Sequence, residues 1–252
     1  MLSAIKNSNY IPNNSARDLV RTKSDAVGLV VRGVSNPFYT DIIRAIERTI
    51  TDAGYTMVMR QIASCDDEVK CGAVMEREKR LQGIVFLGGR FDYTPADLAM
   101  LNVPFVCCSY SNRYGTLIEG EYSSVSIADG DTAQQAVEEL YRHGHRRIAA
   151  LISRPDDQSI SQLRYEGYIQ ALESHGIPVD PELVICTGGF GAKDAYRAVQ
   201  EKMAENVDFT ALFAIADSMA IGAMRALMDA GRRIPEDCSV IAIDGLELSA
   251  YI

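Results

Sequence analysis

The 252-residue chain contains no tryptophan and only three histidines, and both shortages narrow its chemistry. With so few imidazoles, general acid–base work would have to rest on carboxylates. None of the six cysteines falls into a C-x-x-C pair with metal-ligand spacing, so the thiols read as reduced and mostly buried. The His143-Gly-His145 pair, with no carboxylate or thiol at ligand spacing, reads as helix capping rather than a metal site. No stretch approaches the roughly 20 apolar residues that a membrane span needs. Near the N-terminus no charged segment precedes an apolar core and a small-residue cleavage site, which predicts a cytoplasmic chain with no membrane contact. The phosphate loop G-x-x-x-x-G-K-[ST] and the hydrolase and zincin motifs G-x-S-x-G and H-E-x-x-H are all missing. The clusters at Gly88-Gly89 and Gly188–Gly191 lack dinucleotide spacing after a first strand. Nothing assembles a reaction, so the expectation is a protein that is not an enzyme and carries no cofactor and no metal.

Positive charge is also scarce and unevenly placed. The formal net charge is −9, so the body should repel nucleic acid and anionic membrane. Residues 1–25 carry Lys6, Arg17, Arg21 and Lys23 against Asp18 and Asp25, a local +2 that leaves −11 on the remainder. A weakly basic arm on an acidic body hints at tethering to DNA.

What the chain does contain is a strong alternation. Ala26-Val-Gly-Leu-Val-Val31 is a short, nearly continuous apolar run, as expected for a strand covered on both faces of a parallel sheet. Ser35-Asn36-Pro37 then supplies a turn, and Ile42, Ile43, Ile46 and Ile50 recur at helical spacing. The same pattern predicts strands at 26–31, 55–61, 83–87, 105–108, 124–127, 148–152, 183–186, 211–214 and 239–243. Helices are predicted at 38–53, 66–80, 95–101, 131–143, 158–175, 192–205 and 218–230. Gly54, Gly144, Gly176 and Gly231 each follow a periodic run, as left-handed caps require, with His143 and His175 in the last turns before two of them.

Strands separated by helices imply right-handed β-α-β units. The predicted fold is α/β, with two doubly wound parallel-sheet lobes at 24–127 and 128–252. The irregular polar passage 109–122 is expected to mark the chain's departure from the first sheet. Upstream, Pro12 and Asn13 bound a short helix over Ala16, Leu19 and Val20, too short to persist without a partner surface.

Loops leaving the carboxyl ends of parallel strands are where open α/β sheets bind ligands, which places Ser35 to Tyr39 beside a cleft. Polar groups recur at the other strand exits: Asp129, Arg164, Asp217 and Asp244, with Phe190 beyond Cys186. A guanidinium opposed by carboxylates, with aromatic faces nearby, suits a hydroxyl-rich ligand. The competing reading makes Arg164 a structural bridge to Asp217 or Asp244.

Taken in order, several stretches resemble the LacI/GalR family of bacterial transcription regulators, whose effector domains look like type I periplasmic binding proteins. They are Asn9–Asn13 with Ala16-Arg17, Val27–Val31, Ser35–Tyr39, Leu81–Val85, His143–Ala149, Arg164–Tyr168, Asp217–Ala223 and Ile234–Ile241, running on to Asp244. The resemblance implies a repressor whose two lobes bind a small effector, a sugar or a related molecule, and control operator DNA as a homodimer joined near 66–87. It assigns residues 1–23 to the end of a DNA-binding head and a hinge, in which Asn13, Ala16, Arg17 and Leu19 meet DNA. Leu19 would be the wedge in the minor groove. It places Arg164, Asp217 and Asp244 on the effector, with Phe38, Tyr39, Asn112 and Phe190 lining the pocket. A reading head would precede Met1 and a tail would follow Ile252.

Four positions depart from the family pattern. Ala216 and Gly130 replace asparagines, and Ser109-Tyr110 replaces Asp-Arg. A solute-binding protein serving a transporter is the alternative function. Arg164→Ala is expected to abolish effector binding while leaving the fold nearly intact.

Overall fold

The computed structural model describes residues 24–33, 37–63, 66–90, 92–118, 120 and 122–252. The hinge residues Asn13, Ala16, Arg17 and Leu19, together with Ser35, Asn36 and Cys65, lie outside them.

The first strand, β1 (Ala26–Arg32), shows why two faces are needed. Its Leu29 and Val31 face one side of the sheet and Val30 the other, the alternation that a pleat imposes. Helix α1 (Tyr39–Asp52) covers the first side with Tyr39, Ile42, Ile43 and Ile46. Helix α2 (Glu68–Lys79) covers the second with Val69 and Met75, against Val30 and Phe86. β2 (Thr56–Ile62), β3 (Gly83–Leu87), β4 (Phe105–Cys108) and β5 (Ser123–Val125) complete a parallel sheet in the order β2-β1-β3-β4-β5. A short α3 (Pro95–Leu98), closed by a Thr94–Asp97 capping box, precedes β4.

The second lobe follows the same plan. Helix α4 (Asp129–Arg142) leads to β6 (Ile148–Ile152), α5 (Ile160–Ser174), β7 (Val184–Cys186), α6 (Ala192–Ala204), β8 (Ala211–Ala214), α7 (Asp217–Asp229) and β9 (Ser239–Ala242). The sheet order is β7-β6-β8-β9, again all parallel. β6 and β8 are wholly buried, as their unbroken apolar runs required. Gly144 and Gly176 adopt positive φ beyond the His143 and His175 caps.

One expectation is corrected. The passage 109–122 joins β4 to β5 within the first sheet; the chain passes to the second lobe only after Val125, just before α4. Polarity and glycine content signal a loop, but they do not say which sheet the next strand joins. Within this passage Tyr110 is buried, packed in the first-lobe core with Tyr93 and Cys107, and Tyr114 and Leu117 lie against the same cluster.

Both sheets reverse strand order, at β1/β3 in one and β6/β8 in the other. A topological switch point opens a crevice at the strands' carboxyl ends. The residues that follow β1, β3, β6 and β8 therefore define the two walls to inspect.

Candidate ligand-binding site

On the second-lobe wall a guanidinium is held between two buried carboxylates. Arg164, on α5, is only 2% exposed. Its Nε donates to Asp129 Oδ1 at 2.9 Å, and its Nη1 donates to the Ile215 carbonyl and, at 3.4 Å, to Asp244 Oδ1. Asp129 opens α4, Ile215 follows β8 and Asp244 follows β9, so three strand exits converge on one side chain.

The approach of α4 to α5 makes this possible. A Cβ on Gly167 would lie 2.2 Å from the Gly130 carbonyl oxygen, a distance that only glycine at 167 avoids. Gly130, one of the departures from the family pattern, is thus the residue whose backbone Gly167 meets.

Burial dominates the titration of these acids. It raises Asp129 despite the adjacent Arg164, and it lifts Asp244 to about 6, with Asp217 adding to the rise and Arg164 opposing it. Asp244 Oδ2 is buried without a hydrogen-bond partner among the described residues. Its backbone holds φ at +133°, unusual for a residue with a side chain. A carboxylate oxygen with nothing donating to it is an acceptor suited to a hydroxyl.

Asp217 does not meet Arg164. Its Oδ2 accepts from Leu246 N at 2.7 Å and Ser249 Oγ at 2.6 Å, while its own N donates to the Ile243 carbonyl. It braces the turn that presents Asp244. Phe190 packs at the edge of the second-lobe core, its carbonyl accepting from Ser218 Oγ at 2.7 Å. Ala216 is buried and serves as the N-cap residue of α7.

Across the cleft, Tyr39 is both staple and probe. Its ring belongs to the α1–β1 packing and lies 5.9 Å from that of Phe38. Its hydroxyl sits over Gly88, where a Cβ would come within 2.6 Å. Burial, reinforced by the Asp244 charge from the opposite lobe, pushes the phenol up to about 12, while Arg164 and Arg32 act against that rise. Tyr39 therefore belongs to the first wall, with its hydroxyl at the β3 strand exit.

Asn112 has another task. Its Oδ1 accepts from Tyr93 N at 2.7 Å and its Nδ2 donates to the Tyr93 carbonyl at 3.0 Å. Both ends of the amide are spent on shaping the Tyr93 turn, so Asn112 is a support of the first wall.

The burial of this cluster argues against the expectation that Arg164→Ala would leave the fold nearly intact. Removing the cation would strand two buried carboxylates, a change worth roughly 3–5 kcal/mol.

A cluster that sequence reasoning missed lies beneath the first wall. Glu68, fully buried at the first turn of α2, accepts from Arg90 N at 2.6 Å and from the Tyr93 hydroxyl, and its Oε2 lies 3.5 Å from Arg32 Nε. Burial raises its carboxyl. An acid at a helix start looks like an ordinary partner of the helix dipole, so nothing in the local pattern marked it. No group of three or more metal-ligating side chains occurs among the described residues.

Two doubly wound parallel sheets facing each other across a cleft, with charged groups at the strand exits, define the periplasmic-binding-protein class of ligand-binding domain. Residues 24–250 match the family model for periplasmic binding proteins and the sugar-binding domain of the LacI family, and the chain belongs to that family. It is 37% identical to the HTH-type transcriptional regulator MalR of Clostridium butyricum, over the whole of this chain and 75% of the relative. It is 30% identical to the transcriptional repressor CytR of Escherichia coli K12, over 96% of this chain and 69% of the relative. Among solved structures, the transcriptional regulator CelR in complex with cellobiose superposes with a TM-score of 0.75 at 29% identity, covering 96% of this chain and 72% of that one. The lac repressor dimer bound to operator and an anti-inducer shares the fold, with a TM-score of 0.77 at 24% identity, covering 96% and 82%. These relatives are transcription regulators, which favours that function over transport. No helix among the described residues is long and apolar enough to cross a membrane.

Proposed function

We propose that this chain is the effector-reading part of a cytoplasmic transcription regulator, that it performs no catalysis, and that its effector is a neutral sugar held between the lobes. The observation that carries this reading is the Arg164 cluster: a fixed guanidinium between Asp129 and Asp244, with Asp244 Oδ2 buried and without a donor. Vicinal hydroxyls both donate and accept, so they can meet an arginine and a carboxylate together. Two acids paired with Arg164, and Asp217 acting on Asp244 beside them, disfavour a phosphorylated or carboxylated ligand. Phe38, Tyr39 and Phe190 supply flat surfaces for the apolar face of a sugar ring.

Closure on the effector would change how the hinge residues Asn13, Ala16, Arg17 and Leu19 are presented to operator DNA, by favouring one arrangement over another. Such control needs two copies of the chain. The proposed dimer face keeps α2 but takes edge strand β2 in place of the expected 81–87 strand, which lies inside the sheet; Val74 and Met59 are exposed there and Arg60 pairs with Glu78 at 3.0 Å.

The test is isothermal calorimetry with maltose and cellobiose on the native chain and on Asp244→Asn, which keeps shape and hydrogen-bonding reach while removing the carboxylate. Affinity should fall at least tenfold with no drop in melting temperature. Equal affinity in the two proteins would refute the assignment of Asp244 to the effector.

A further inference from the structure

Helix α5 has two working faces. Arg164 turns into the second lobe, whereas Ile160 and Leu163 pack against the first-lobe cluster that contains Tyr93, Cys107 and Tyr110. One turn beyond Leu163, Glu166 Oε1 accepts from the Tyr114 hydroxyl at 3.1 Å and from Gln162 Nε2 at 3.0 Å. Tyr114 belongs to the passage between β4 and β5, whose Leu117 and Tyr122 flank the same cluster. The helix that grips with Arg164 is therefore seated on the opposite lobe through two apolar side chains and one directional hydrogen bond.

We infer that Tyr114 and Glu166 are positioning residues: they latch the lobes at a defined angle and so decide how Arg164 faces the first wall. The apolar seat formed by Ile160 and Leu163 is non-directional and tolerates small rotations. A hydrogen bond between a half-buried phenol and a carboxylate does not tolerate them, because its strength falls steeply as the angle departs from linear. With the latch made, α5 has one preferred seat; without it, several seats of similar packing compete. An effector then binds only the fraction of molecules in the competent arrangement, and its apparent affinity falls in proportion. This inference rests on the effector reading above for its consequence, but not for the latch itself.

The experiment measures lobe separation directly, with no ligand added. Nitroxide labels are introduced as non-canonical residues at Glu47 on α1 and Glu201 on α6, both exposed, because six native cysteines rule out thiol labelling. Electron–electron resonance distances are then compared among the native chain, Tyr114→Phe, Glu166→Ala and Glu166→Gln. The native chain should give one narrow distribution. Tyr114→Phe and Glu166→Ala should broaden or shift it, whereas Glu166→Gln, whose amide oxygen still accepts from Tyr114, should restore the native distance. For a sugar that binds the native chain, Tyr114→Phe should weaken affinity about fivefold, the equivalent of one hydrogen bond.

A Tyr114→Phe distribution identical to the native one would overturn the latch, as would a Glu166→Gln distribution as disturbed as that of Glu166→Ala. A disturbed distance in a chain that binds neither sugar would retain the latch and remove the effector reading. Undisturbed distances alongside sugar binding that depends on Asp244 would do the reverse.

Discussion

In the first lobe the buried acid beneath the cleft is Glu68, and what it touches are its own neighbours: the Arg90 main chain, the Tyr93 hydroxyl and Arg32. In the second lobe Asp129 and Asp244 share one arginine drawn from a different helix, and one Asp244 oxygen is left with no donor among the described residues. Arg90 further lies over the Tyr93 ring at 5.2 Å, so the first cluster is roofed by its own loop. The contrast separates two uses of buried charge. Glu68 Oε2 is likewise buried without a hydrogen-bond partner among the described residues, 3.5 Å from Arg32 Nε, so an unspent acceptor does not by itself mark a site. What sets the second network apart is its assembly from three strand exits, where open α/β sheets receive ligands.

The largest effect should come from breaking the second cluster at its centre. Arg164→Ala is expected to lower unfolding stability by roughly 3–5 kcal/mol in urea titration, because Asp129 and Asp244 stay buried without their cation. Part of that loss should be recovered in acid, where both carboxylates can protonate. Gly167→Ala comes next. It leaves every charged group in place but wedges α4 from α5, and a loss of about 1–3 kcal/mol is expected together with weakened effector binding. Native stability and affinity in the Gly167→Ala chain would show that the helix spacing does not set the Asp129–Arg164 bond.

Acidity distinguishes the clusters in a third way. Asp244 titrates near 6 in the folded chain and near the ordinary aspartate value when unfolded, so between about pH 4 and 6 the folded state holds more protons. Stability should therefore decline as pH rises through that window and level off above it. Asp129 and Glu68, also raised, act in the same direction. The difference between the native chain and Asp244→Asn isolates the Asp244 share, and melting curves at pH 4.5, 5.5 and 7 measure it. An effector hydroxyl that donates to Asp244 favours its charged form, so affinity should rise with pH up to about 6 and then flatten. The smallest effect belongs to the first lobe: Tyr93→Phe removes one hydroxyl from Glu68, with an expected loss of about 1 kcal/mol and effector affinity nearly unchanged.

Much of this arrangement was legible in the sequence. The runs at 83–87, 105–108, 148–152 and 211–214 form strands with those bounds, because continuous β-branched or apolar stretches between helix-length periods allow little else. Arg164 and Asp244 stood out as charged residues just past strands or at a helix start. The partnership between Arg164 and Asp129 was not legible, since it depends on how closely α4 and α5 approach, and that is fixed by Gly130 and Gly167 rather than by any period. Asp217 and Asp129 occupy equivalent-looking strand exits, and only the packed helices show which one reaches the arginine. Glu68 was hidden for a related reason: its burial follows from Tyr93 folding back over it, a contact 25 residues distant in the chain.

The most direct measurement of the central claim follows the side-chain Nε–H resonance of Arg164 by nitrogen-15 NMR while a sugar that stabilises the chain in a thermal-shift screen is added. Arg232, which donates to the Phe209 and Asp237 carbonyls away from the cleft, serves as the internal control. The account predicts that the Arg164 signal moves in step with binding while that of Arg232 stays still. A saturating sugar that leaves Arg164 unmoved would contradict it.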